Sequence, residues 1–194
     1  MVSTAGDQMS HRAESRDVGG RAGPADVAAR SLARARQIAE SVPDPELPML
    51  TLADLGILRD VAADGDRVIV SLTPTYSGCP AMHEMRSDVA GRLAAGGFAE
   101  VEVRTVLSPP WSPEMISVAG RRKLAEAGIA PPRSQPEAPA GAVPLTLFAP
   151  GPPVDCPACG SADTQRTAAF SGTACKDLYR CRACAEPFEH VKEI

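Results

Sequence analysis

Between residues 26 and 41 the apolar positions recur at helical spacing. Ala28, Leu32, Ala35, Ala39 and Val42 fall on one face. The pattern predicts an amphipathic helix with Asp26 as N-cap and Pro43 as its stop. The next stretch, PDPELPML, carries three prolines and predicts an extended loop. The period then switches to two. Residues 56–62 and 67–73 predict a pair of strands joined by Ala63-Asp64-Gly65-Asp66, with Val68, Val70 and Leu72 on one face. After the loop TPTYSGCP, helical spacing returns with Met82, Met85, Val89 and Leu93, from near Pro80 to Gly96-Gly97. Val101, Val103 and Thr105 alternate with Glu100, Glu102 and Arg104, the mark of a half-exposed strand. Ser112-Pro113 predicts the start of a third helix, which Gly128 closes.

The order α-β-β-α-β-α predicts an α/β fold: a small domain over residues 26–130 with a three-stranded sheet. Residues 1–25 lack periodicity and are expected to be a disordered extension. Residues 131–152, rich in proline, predict a stiff linker, within which Val143 to Phe148 is apolar enough to dock. A separate module of residues 153–194 follows.

Composition narrows the function classes. The chain has 194 residues, 44% of them hydrophobic, enough for one ordinary domain and a small companion. No run reaches the roughly 18 apolar residues of a membrane span. The first residues lack the apolar centre of a secretory signal, so the six cysteines are expected to be reduced thiols in the cytoplasm. The net charge is −4, and residues 153–194 hold five basic against six acidic residues. That balance argues against nucleic acid and points to a protein partner.

The last module carries the strongest motif. Cys156-Pro-Ala-Cys159 and Cys181-Arg-Ala-Cys184 are separated by 21 residues. Each pair puts two sulfurs on one tight turn, and Gly160 relieves the backbone after the first. Four thiolates so placed predict a tetrahedral structural zinc site in a ribbon. An iron or iron–sulfur centre could use the same donors, and a disulfide pair is the bland account. About 40 residues bury too little surface to fold without such a staple.

Cys79 lies between a predicted strand and helix. With Pro80 at the first helical position it would be the N-cap, where unpaired N–H groups favour a thiolate. A small buried core cysteine is the competing account. His83, one turn on, could form a dyad with Cys79 or simply be exposed. Asp44, Glu46 and Asp54 could gather a metal near Cys79 or serve as turn residues. Cys175 precedes Lys176, which would favour its thiolate and suit a transient metal-handling or redox role, though a buried core role competes. His190 could be a stand-in ligand, but with four cysteines available it is expected to be a packed surface histidine.

Several segments together resemble a known family. Asp44-Pro-Glu46, Asp54-Leu-Gly-Ile57, a hairpin and a cysteine before the next helix resemble the domain of iron–sulfur cluster assembly factors of the SufT and cytosolic-targeting type. More narrowly, LTPTYSGCPAM, PPWSPEM, AGRRKLAEAGIAPP, FSGTACK and EPFEH resemble the PaaD family, accessory proteins of bacterial phenylacetyl-CoA epoxidase systems. The resemblance spans about residues 27–194. It implies a maturation subunit that assists iron or iron–sulfur assembly in the oxygenase or its reductase, with no catalysis of its own and no small-molecule substrate. It also implies a working role for Cys79, with Asp44, Glu46, Asp54, Thr75 and Cys175 as candidate supporting residues, and a transient iron or iron–sulfur cluster beside the zinc. A general iron–sulfur carrier is the alternative, and a zinc-ribbon nucleic-acid-binding protein a more distant one. The sequence offers no dinucleotide fingerprint and no pair of Glu-x-x-His motifs for a di-iron site.

Overall fold

The computed structural model describes residues 24–76, 78–133 and 153–192. Nearly all of the expected extension, and the linker beyond Arg133 with its Val143–Phe148 stretch, lie outside the described residues.

Helix α1 (Pro24–Glu40) leads into the hairpin β1 (Leu58–Asp64) and β2 (Arg67–Leu72). The strands pair antiparallel from Leu58↔Leu72 to Asp64↔Arg67, so the turn is Gly65-Asp66, with Gly65 at φ +60°. Helix α2 (Met82–Ala95) then carries the chain across to β3 (Glu100–Thr105), which pairs parallel with β2. This gives a three-stranded sheet in the order β1-β2-β3. Val61, Val68, Val70 and Leu72 bury one sheet face against Ala35 and Ala39 of the first helix, Val42 just beyond it, and Met85, Val89 and Leu93 of the second. The opposite face is charged, with Glu102 held between Arg104 and Arg67.

Two local expectations are corrected. PDPELPML is a tight lobe rather than an extended loop: Asp44 N–H donates to the Leu50 carbonyl (2.9 Å) and Leu52 N–H to that of Val42 (2.9 Å). Its prolines bend the chain so that Leu47, Leu50 and Leu52 enter the core. The expected third helix is split. Pro113–Met115 is one 3₁₀ turn, after which α3 (Val118–Glu126) starts afresh from Ser117, whose hydroxyl accepts from Gly120 N–H.

The second sheet joins the two modules. Strands β5 (Thr164–Ala168), β6 (Lys176–Cys181) and β7 (Pro187–Val191) form an antiparallel ribbon. A short β4 (Ile129–Ala130) pairs parallel with β7, giving the order β4-β7-β6-β5. Residues 129–130, which the sequence places at the end of the first domain, are thus an edge of the ribbon's sheet. Val191 is buried in the first module's core. The two modules are packed together, not merely tethered.

Candidate functional site: a four-cysteine metal centre and a thiol junction

The ribbon positions four sulfurs by two knuckles. In the first, Gly160 N–H donates to the Cys156 carbonyl (2.8 Å) and Cys156 N–H to that of Ser161 (2.9 Å). Gly160 at φ +73° turns the chain there, and Ala185 at φ +66° holds the matching place in the second knuckle. The four Sγ atoms lie within 4.8 Å of one another. Cys156 and Cys184 are 3.8 Å apart, and Cys159 and Cys181 3.6 Å. A tetrahedron with Zn–S bonds of about 2.3 Å has edges of about 3.8 Å, so the sulfurs fit such an ion. Cys156 and Cys181 are buried while Cys159 and Cys184 are exposed. Backbone N–H groups of Cys184 and Ala183 bring the Cys181 thiol down to about 7. Against the Glu186 N–H, the crowding of Cys159 and Cys181 pushes Cys184 up to about 12. Four thiols sharing one small volume cannot all ionise unless a cation is present. Among the described residues this is the one group of three or more potential ligands gathered so tightly.

The second constellation lies where the modules meet. Glu46 and Asp44 come from the lobe after α1, Cys79 and Thr75 from the loop between β2 and α2, and Cys175 from the ribbon. All five line one cavity of about 30 Å³, walled elsewhere by apolar side chains including Ile57, Met85 and Val191. The Cys175 thiol donates to Glu46 Oε2 at 3.4 Å and lies 3.1 Å from Thr173 Oγ1. Asp44 is buried, and its Oδ1 accepts from the N–H groups of Glu46 (2.9 Å) and Leu47 (2.8 Å). Thr75 also lines a surface pocket of about 340 Å³, apolar in character, with Pro74, Leu107, Pro110 and Trp111.

The electrostatics correct the expectation of an activated thiol. Cys79 is not the N-cap: α2 starts at Met82 from Ala81, and Cys79 lies two residues further back. Burial pushes its thiol up, the Ala81 and Met82 N–H groups work against that, and the Glu46 and Asp44 carboxylates add to the rise. Cys175 is pushed up to about 11, first by burial and then, against the Thr173 hydroxyl, by Glu46. Lys176 does little for it because its ammonium is held by Glu189 at 2.7 Å. Burial likewise raises Asp44 despite its two N–H partners. Cys79, Cys175 and Asp44 are all shifted toward their protonated forms.

Other candidates lie elsewhere. Asp54 is away from the cavity, bonded to Lys123 Nζ (2.6 Å), the Ser117 hydroxyl (3.2 Å) and Thr51 N–H (3.1 Å). His83 is exposed. His190 is not a surface residue: it is buried, its Nδ1 2.9 Å from Asp177 Oδ1 and its ring edge-on to Tyr179. Sequence reasoning missed Trp111, buried with Nε1 donating to the Leu55 carbonyl at 2.8 Å. It also missed Val191, which brings the ribbon to the cavity.

Two family models match the chain. The PaaD zinc beta ribbon domain matches residues 140–192. The iron-sulfur cluster assembly protein family matches residues 33–106. A protein of Escherichia coli (strain K12), named as one of the subunits of 1,2-phenylacetyl-CoA epoxidase, is 39% identical over 154 residues, covering 79% of this chain and 87% of that one. This chain belongs to the PaaD family. Its PaaD ribbon supplies Cys175, and its assembly-type module supplies Asp44, Glu46, Thr75 and Cys79, so the junction draws on both matched regions. Among solved structures, a domain of unknown function (DUF59) from Bacillus anthracis is 32% identical, covers 50% of this chain and 92% of its own, and has a TM-score of 0.46. A conserved hypothetical protein from Thermotoga maritima is 31% identical, with coverage of 47% and 91% and a TM-score of 0.41. No described helix is long and apolar enough to cross a membrane.

Proposed function

We propose that this protein is the maturation subunit of a phenylacetyl-CoA epoxidase, assisting iron or iron–sulfur assembly in the oxygenase or its reductase. The observation that carries this reading is the union, in one chain, of an iron–sulfur assembly module and a PaaD ribbon. The name of the E. coli relative, which places it among the epoxidase's components, supplies the client. In this reading the ribbon holds zinc through Cys156, Cys159, Cys181 and Cys184. Zinc supplies charge neutralisation and a cross-link there, holding the fold without chemistry of its own. Cys79 is the working thiol. Asp44 and Glu46 stand beside it as oxygen donors, Thr75 borders the same cavity, and Asp54 braces the module from a distance. The partners are the epoxidase's own protein subunits.

Deleting the gene tests the reading. Oxygenase and reductase subunits should still accumulate but be short of iron, and chemical reconstitution of the purified proteins should restore epoxidation. Full metal content in subunits that stay inactive until this protein is added would make its role structural or regulatory. Iron loss from unrelated iron–sulfur proteins as well would favour a general carrier.

A further inference from the structure

We propose that the junction between the modules is a second metal site, in which Cys79, Cys175 and Glu46, backed by Asp44, hold one iron(II) ion as cargo. This rests on the maturation reading and gives it a binding site that neither module contains alone.

The donors belong to different parts of the chain, yet all face one small cavity. Two thiols and two carboxylates form a mixed soft and hard set that suits iron(II) better than magnesium or calcium. A cavity of about 30 Å³ has room for one ion or water and not for a cluster. The local charge points the same way. Ionised, the four groups would be strongly anionic, and Lys176, whose charge acts on both Asp44 and Cys175, is engaged by Glu189. Burial and the neighbouring carboxylates favour the protonated form of both thiols in the free protein. An entering dication reverses that balance: each thiol releases its proton to solvent as its sulfur bonds the metal, and Cys175 gives up its hydrogen bond to Glu46.

The donors are not drawn together as tightly as the ribbon sulfurs, which are the described residues' one preassembled group. That contrast separates the roles. A closed tetrathiolate retains its metal, whereas a site that must contract around its ion and displace protons binds weakly and exchanges. Cargo requires exchange. Cys175 is therefore a ligand for the transferred iron, and the ribbon is a structural half of the transfer site.

The test uses the full-length, zinc-loaded protein under anaerobic conditions, titrated with cobalt(II) as a spectroscopic substitute for iron(II). The wild type should take up one further equivalent, with thiolate-to-cobalt charge-transfer absorption and zinc retained. Cys79→Ser and Cys175→Ser should each weaken that uptake at least tenfold and remove about half of the absorption. Glu46→Gln should weaken it while preserving the absorption. Retained zinc and an unchanged circular dichroism spectrum establish that each variant is folded. Absence of a second equivalent, or uptake indifferent to Cys175→Ser, overturns the site. That result leaves the maturation reading standing if Cys79→Ala still starves the oxygenase of iron. A correct second site in a strain whose oxygenase needs no help would overturn only the maturation reading.

Discussion

The Cys175 thiol reaches Glu46 Oε2 at 3.4 Å across 129 residues of chain, joining the ribbon to the lobe beside Cys79. That contact exists because β7 pairs with β4 and sets Val191 into the first module's core. The metal centre and the thiol junction are therefore coupled mechanically, although their ligands are separate.

Metal removal should reveal the coupling. The protein is expected to hold one zinc per chain, lost in Cys156→Ser or Cys181→Ser, because a three-cysteine set leaves one tetrahedral corner open. Ribbon unfolding would strip β4 of its partner strand and expose Val191, so the first module should also lose stability. Hydrogen exchange should show weaker protection around Ile57 and Met85 in the zinc-free protein. Unchanged protection there would mean that the modules fold independently.

Thiol reactivity offers a second check. With both thiols raised, Cys79 and Cys175 in the folded protein should alkylate more slowly at pH 7 than a free cysteine peptide. Cys175, at about 11, should be the slower. A Cys79 that outpaces the peptide would contradict the junction's electrostatics.

Much of this was legible in the sequence, and the misses have physical causes. Period-two and helical spacing located the three strands of the first sheet and the two helices that cover it, and the two C-x-x-C knuckles picked out the four sulfurs that the structure gathers within 4.8 Å. Other features escaped. The PDPELPML lobe hides its core leucines because proline-rich segments have no periodicity to read. The Ile129–Ala130 strand is two residues long, too short for any pattern, and is defined by its partner β7. The pKa of Cys79 follows from burial by residues distant in sequence, which outweighs the local N–H groups that the Cys-Pro step suggested. Proximity of Cys175 to Glu46 likewise needs the second sheet.

Gly56 of the Asp-Leu-Gly motif is a packing requirement. It sits at φ +68°, and a Cβ there would come within 2.5 Å of the Met115 backbone oxygen. Gly56→Ala should cost about 2 kcal/mol or more, measured by urea unfolding, since both the left-handed backbone and the clash oppose it. A loss well under 1 kcal/mol would mean that the Trp111–Met115 segment yields easily.

Asp54 sets an acid limit. Although burial opposes it, Lys123, Thr51 N–H and Ser117 hold its carboxyl below the usual carboxylate range. A group whose folded pKa is depressed stabilises above its unfolded value of about 3.9, and that stabilisation is lost as pH falls through the folded value. Asp54→Asn should therefore be less stable than wild type at neutral pH, by about 1 to 3 kcal/mol. The gap should narrow below about pH 4. A gap that does not change with pH would show that the charge contributes nothing.

The central claim is that Cys79 serves iron assembly in the epoxidase, and the iron content of the oxygenase measures it most directly. In a strain carrying only Cys79→Ala, this protein should remain folded and zinc-loaded, since one half-buried side chain costs at most a few kcal/mol. The oxygenase purified from that strain should be made at normal levels and be iron-poor, regaining activity on reconstitution with iron. Oxygenase that carries its full iron complement in the Cys79→Ala strain would contradict the account.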